Sequence, residues 1–101
     1  MMKKSFNERC YAVLKKVPRG KVTTYKEIAR VLHSKGYRAV GNAMNKNPHT
    51  PYVPCHRVIL SDGSIGGFAS GVKKKIKMLK KEGIKIKNKR IDLRKYFYRL
   101  K

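Results

Sequence analysis

The stretch Thr24–Pro48, TYKEIARVLHSKGYRAVGNAMNKNP, decides how this chain folds. Thr24 and Glu27 have the spacing of a capping box, so a helix should open there, with Ile28, Ala29, Val31 and Leu32 on its apolar side. Ser34-Lys35-Gly36 breaks it. The segment from Tyr37 onward forms a second helix in which Val40, Ala43 and Met44 face inward, and Asn47-Pro48 closes it. Two short helices about a glycine-containing turn, supported by a third, are a helix-turn-helix.

The supporting helix lies upstream. Ser5 and Glu8 form another capping box, and Phe6, Cys10, Val13, Leu14 and Val17 follow as one apolar stripe that Pro18-Arg19-Gly20 ends. Lys21-Val22-Thr23 is then a short extended link. Cys10, on the stripe with nothing placed to activate it, reads as a small core residue.

Downstream, Val58-Ile59-Leu60, the turn Ser61-Asp62-Gly63-Ser64 and Ile65-Gly66-Gly67-Phe68 read as a hairpin, which after a helix-turn-helix is a wing. A lysine-rich helix follows, with Val72, Ile76, Leu79 and Gly83 on a narrow apolar side. IKIKNKRI (84–91) alternates like an edge strand or ribbon, and DLRKYFYRLK (92–101) ends in a turn of helix. The expected fold class is mainly α with a small β wing, a single winged helix-turn-helix domain over residues 1–101.

Lys and Arg number 27 against 5 Asp and Glu, a formal charge of +22, far beyond what solubility requires of a small domain. From Lys73 to Lys101 alone there are 14 Lys or Arg against Glu82 and Asp92. Any one of these lysines reads as part of a solvated face, but together they repel one another until an anionic partner compensates them. No apolar run approaches the roughly 18 residues of a spanning helix. MMKKSFNERC lacks the apolar stretch of a secretory signal. The chain is therefore expected to act inside the cell, at a nucleoid or in a nucleus, with reduced cysteines. Cys10, Cys55, His33, His49 and His56 show no metal-ligand spacing, and neither a metal nor a cofactor is expected.

A recognition helix usually presents long polar side chains to base edges. This one offers Ala39, Gly41, Asn42 and Ala43, which let a backbone approach a minor groove closely, with Arg38 as the long cation able to probe between bases. The same small residues would equally serve tight helix packing.

The motifs RAVGNAM (38–44) with Asn47-Pro48, PCHRV (54–58), GGF (66–68) and LKKEG (79–83) stand in this order, and with them the chain from Phe6 to Gly83 resembles the active-site domain of the O6-alkylguanine-DNA alkyltransferases. That resemblance implies a single-turnover repair protein that flips an alkylated guanine out of double-stranded DNA, approached from the minor groove, and moves the alkyl group irreversibly to its own cysteine. It makes Cys55 the acceptor, which suits a soft thiolate nucleophile. It makes His56 the base acting through a water, Glu82 the carboxylate that orients it, and Asn47 the tie between the active-site loop and that network. Tyr25 becomes the hydroxyl that meets the guanine leaving group, although simple packing at a helix start is its other reading. Arg38 becomes the finger that fills the gap left by the flipped nucleotide.

By the same resemblance Met44, Val58, Phe68 and Ala69 join Tyr25 around the base. Phe68 and Ala69 stand where the family commonly has tyrosine and serine, so the lid keeps its bulk and loses two hydroxyls. Ala39, Gly41, Asn42, Thr24 and Arg57 are expected to join Arg38 on the DNA. The N-terminal domain common in the family is not recognised, so a separate protein could stand in for it, and the chain is otherwise expected to be a monomer. That difference, with IKNKRIDLRKYF (86–97), also resembles the alkyltransferase-like proteins, which mark alkylated guanine for excision without repairing it. Those proteins replace the acceptor cysteine, whereas this chain keeps Cys55.

Overall fold

A computed structural model describes residues 5–33, 37–46, 53–67 and 71–100. Helix α1 (Phe6–Leu14) opens with both halves of its capping box made: the Glu8 N–H donates to Ser5 Oγ at 3.1 Å, and the Ser5 N–H donates to Glu8 Oε1 at 3.2 Å. It buries Cys10, Val13 and Leu14 and gives way to a turn at Lys15, so Val17 reaches the core from beyond the helix. Burial pushes the Cys10 thiol up to about 11, which leaves it an inert core residue.

Thr24 has two structural roles. Its extended backbone ends strand β1 (Thr23–Thr24), and its hydroxyl caps helix α2 (Tyr25–Val31) by accepting the Glu27 N–H at 3.0 Å. The reciprocal half of the expected capping box is not made. The buried Glu27 carboxylate instead accepts Arg30 at 2.8 and 2.9 Å and the Leu100 N–H at 2.7 Å, while Arg30 donates to the Leu100 carbonyl. The C-terminal tail is thereby latched to α2. Helix α2 ends at Val31 with Leu32 as its C-cap, and His33 beyond it turns the chain with a φ of 56° in the left-handed region, just ahead of the expected Ser34–Gly36 break, which is outside the described residues.

Helix α3 (Tyr37–Asn45) packs on α1 and α2 in the helix-turn-helix arrangement. Val40, Ala43 and Met44 are buried as expected, and the Tyr11 hydroxyl of α1 donates to the Ala43 carbonyl at 2.7 Å. The first apolar cluster gathers these residues with Cys55 and Val58, and the second gathers Val22, Ile59, Ile65, Leu79, Ile84 and Ile91. Among the described residues no helix is long and apolar enough to cross a membrane.

The small sheet differs from the expected hairpin. Strand β2 (Val58–Ile59) pairs in parallel with β1, Thr23 against Val58 and Thr24 against Ile59. The Ser61–Ser64 turn does form, with the Leu60 N–H donating to the Ser64 carbonyl. Beyond it, however, the chain pairs with residues 89–91: Ile65 N–H donates to the Lys89 carbonyl and Ile91 N–H to that of Gly63. The 84–91 ribbon turns back on itself between Lys87 and Arg90, through Asn88 and Lys89 at φ of 53° and 58°. Gly63 has φ of 92°, and a Cβ there would lie 2.8 Å from the Ile91 carbonyl oxygen. Gly63→Ala should therefore lower unfolding stability in urea by about 1–3 kcal/mol. An unchanged midpoint would contradict this packing.

The last two helices are α4 (Val72–Lys81) and the single turn α5 (Leu93–Tyr96), capped by Asp92. The expected apolar side of α4 is corrected at three positions, the first being Gly83, which is exposed and lies beyond the end of the helix. Val72 is exposed, and Lys75 joins Leu79 on the buried face.

Candidate active site

Cys55, His56 and Arg57 form a single turn of 3-10 helix after Pro54, and β2 follows at once. Because β2 pairs with β1, that turn is held beside the first residue of α2, Tyr25. Helix α4 packs against the turn from the other side and ends in Glu82, so a carboxylate distant in sequence arrives beneath the histidine.

Cys55 and His56 are both buried. His56 Nε2 lies 2.8 Å from Glu82 Oε2, and Arg57 grips the same carboxylate through Nε at 2.9 Å and Nη2 at 2.8 Å. The Arg57 Nη1 group donates to the Val17 carbonyl at 2.8 Å. Burial pushes the Glu82 carboxyl up, but the hydrogen bonds from Arg57 and His56 outweigh it and hold the pKa at about 2. Glu82 is thus ionised and can only accept. The proton shared with it must sit on His56 Nε2, which leaves Nδ1 as a bare acceptor. His56 stays neutral because burial lowers its pKa more than Glu82 raises it. The Nδ1 atom is buried and has no hydrogen-bond partner among the described residues.

Lys75 is fully buried, and its ammonium donates to three carbonyls, those of Val58 at 2.7 Å, Ile65 at 2.6 Å and Gly67 at 3.0 Å. Nζ also lies 6.0 Å from the centre of the Tyr25 ring. Burial lowers its pKa to about 8, which leaves it mostly charged at neutral pH. It ties the strand that follows Cys55 to the chain beyond the Ser61–Ser64 turn. For Tyr25, burial first and the neighbouring Cys55 second raise the hydroxyl's pKa, so it remains a donor.

A cleft of about 340 Å³ opens beside Tyr25, and among its described lining residues are neither Cys55 nor His56, which lie buried behind it. Tyr25 and Lys26 line it from α2, Arg38, Gly41 and Asn45 from α3, and Leu60, Ser61 and Gly67 from the turn segment. Its volume is that of a small-molecule or single-base pocket. Among the described residues no group of His, Cys, Asp and Glu could hold a metal ion.

A family model described as 6-O-methylguanine DNA methyltransferase, DNA binding domain, matches residues 5–84. The chain belongs to this alkyltransferase family. It is 45% identical over 87 residues to a bifunctional methyltransferase/endonuclease of Picrophilus torridus, covering 85% of this chain and 29% of that protein. It is 44% identical over 82 residues to a methylated-DNA–protein-cysteine methyltransferase of Sulfolobus acidocaldarius, covering 81% and 52%. The chain thus spans about half or less of these relatives. Among solved structures, S. pombe Atl1 in complex with damaged DNA containing O6-carboxymethylguanine superposes with a TM-score of 0.85 at 32% identity over 98% of this chain and 99% of Atl1. The O6-methylguanine-DNA methyltransferase of Pyrococcus kodakaraensis superposes with 0.74 at 44% identity, over 80% and 47%.

Within this alkyltransferase domain, Cys55, His56, Glu82 and Tyr25 are brought together, while Arg38 stands at the cleft with Gly41. Ala39 and Asn42 are exposed on α3. Asn47, Phe68 and Ala69 lie outside the described residues. Of the residues expected on the DNA, Thr24 has its side chain buried as the α2 cap, and Arg57 donates to Glu82 and the Val17 carbonyl. The side chains of Met44 and Val58 are buried in the first cluster with that of Cys55, and none of the three is among the described residues that line the cleft. Lys75, Asn45, Leu60 and Ser61 are site residues that the sequence reading passed over. One lysine within a lysine run carries no local mark of burial.

The Glu82 pKa sets an acid limit. A carboxyl that titrates at about 2 when folded and near 4.5 when unfolded stabilises the fold above 4.5 and loses that contribution as pH falls toward 2. His56, held below its ordinary 6.5, acts in the same direction, because the unfolded chain takes up the proton first. Urea titrations should show about 3 kcal/mol of Glu82-dependent stability disappearing across that window. A Glu82→Gln variant should show a correspondingly shallower acid limb.

Proposed function

We propose that this chain removes an alkyl group from O6 of guanine in double-stranded DNA and retains it on Cys55. The observation that carries the reading is the 2.8 Å contact between His56 Nε2 and the Glu82 carboxylate, in the turn that bears Cys55. Glu82 fixes the proton on Nε2, so the bare Nδ1, in the same turn as the thiol, can take the Cys55 proton through a bridging water. The thiolate attacks the alkyl carbon; the S–C bond forms as C–O6 breaks, and the electron pair leaves with guanine. The Tyr25 hydroxyl hydrogen-bonds the base as that charge builds. The thiol proton finally passes to guanine, so the products are a thioether and a neutral base. Arg38, at the mouth of the cleft, fills the stack vacated by the flipped nucleotide, and α3 faces the minor groove as a monomer. The methyltransferases among the relatives support this reading.

The test is intact mass after incubation with a duplex containing O6-methylguanine. One methyl should be gained per chain, confined to the peptide bearing Cys55, with unmodified guanine in the product. The superposition on Atl1 over nearly its whole length favours a second reading, in which the chain binds the lesion and leaves it unrepaired. Tight, lesion-selective binding with no change in mass would establish that reading in place of the first. A basic module without lesion recognition would show neither, only binding with a steep salt dependence.

A further inference from the structure

Helix α4 turns two unlike faces to its surroundings. Lys75 and Leu79 are buried against the Cys55 turn, whereas Lys73, Lys77, Lys80 and Lys81 are exposed and, with Ile76, line a shallow groove of about 500 Å³. At about 100° per residue, Lys77 lies opposite the midpoint of the buried pair. This groove shares no residue with the cleft lined by Tyr25 and Arg38.

Among the described residues no carboxylate pairs with any of these lysines. All five carboxylates of the chain are committed elsewhere: Glu8 to the α1 cap, Glu27 to Arg30 and Leu100, Asp62 to Ser64, Glu82 to His56 and Arg57, and Asp92 to the α5 cap. The pairs Lys73/Lys77 and Lys77/Lys81 stand four residues apart, a spacing that destabilises a helix carrying like charges. A chain that keeps such a row gains only when a polyanion covers it.

The composition of the face selects the polyanion. Protein interfaces are depleted in lysine and rich in aromatic residues and arginine, and single-stranded nucleic acid calls for aromatic stacking platforms; this face has neither. Lysines without Asn, Gln or Arg among them contact phosphates and read no bases. Lys73 and Lys81 are eight residues apart, about 12 Å along the helix axis. That span is of the order of the roughly 12 Å width of a duplex major groove. We propose that the exposed face of α4 binds the backbone of a second segment of double-stranded DNA, so that the protein bridges two duplexes, one at the cleft and one at α4. This rests on the DNA reading of the cleft given above.

The test is a bridging assay with the full chain. A bead-bound duplex containing O6-methylguanine is loaded with protein, and retention of a second, fluorescent, undamaged duplex is measured against salt. Wild type should retain the second duplex, and Lys77→Gln/Lys80→Gln/Lys81→Gln should retain at least about tenfold less, given the phosphate contacts removed. The variant's affinity for the single lesion-bearing duplex and its alkylation by free O6-benzylguanine should remain within about twofold, which also reports that it is folded. Lack of bridging by a wild type that still binds the first duplex would overturn the proposal and leave the cleft reading intact. Equal bridging by the variant, or a matching fall in its single-duplex affinity, would overturn it too, the latter by placing α4 on the same duplex. A wild type that binds no duplex overturns both readings.

Discussion

Glu82→Gln should slow alkyl transfer by about 10²- to 10⁴-fold, the range in which a general base and its orienting anion contribute. The amide keeps the shape of the carboxylate but can present either oxygen or NH₂ to His56 Nε2, now 2.8 Å away. Once NH₂ donates, the imidazole proton moves to Nδ1 and His56 loses the acceptor that the proposed water-bridged proton transfer needs. The substitution also leaves the Arg57 guanidinium, with 16% of its side chain exposed, without its carboxylate. Breaking such a pair from one side costs about 3–5 kcal/mol. Slow transfer could then reflect a weakened fold, and Arg57→Met/Glu82→Gln separates the two effects: it removes the stranded cation and should recover stability in urea without recovering rate. A third readout is the acid limb of the rate. Glu82 raises the His56 pKa, so its loss should move the limb to lower pH. Transfer by Glu82→Gln within a few fold of wild type would remove Glu82 from the mechanism.

The contrast between what the sequence disclosed and what it concealed is one of distance along the chain. The α1 and α2 caps, the Ser61–Ser64 turn and the inward face of α3 are set by groups a few residues apart, and each is made where the sequence places it. At Glu27 the local signal was only half true. Its spacing fits a reciprocal cap, but its carboxylate goes to the Arg30 guanidinium, a charged donor worth more than the Thr24 N–H, and to the buried Leu100 N–H, 73 positions away. The β1–β2 pairing escaped for the same reason. Thr23–Thr24 has no strand signal of its own, and its partner lies beyond two helices. At the site, Cys55 and His56 announce themselves as neighbours, and the family resemblance supplied Glu82. Arg57, expected on the DNA, holds Glu82 in the fold, since an arginine in a chain of 27 cations shows its ion pair only when folded.

Lys75→Met should reduce alkyl transfer on the order of 10²-fold, the effect of displacing reacting groups by about 1 Å. Methionine fills most of the space but cannot hold the carbonyls of Val58, Ile65 and Gly67, two of which frame the segment between the Cys55 turn and the cleft. Each carbonyl left without a donor costs about 1–3 kcal/mol, while removal of a buried ammonium gives some of that back. The balance depends on pH in a way that packing alone would not. Lys75 titrates at about 8 in the fold and near 10.5 in the unfolded chain, so between those values the native state has released a proton that the unfolded state still holds. Wild-type stability therefore rises across pH 8 to 10.5 relative to Lys75→Met, by up to about 3 kcal/mol. Denaturation of the two proteins in parallel at pH 7, 9 and 10.5 reads this directly. Curves that stay a constant distance apart would show that Lys75 is not a titrating buried cation, and transfer at the wild-type rate would show that its three carbonyls hold their places without it.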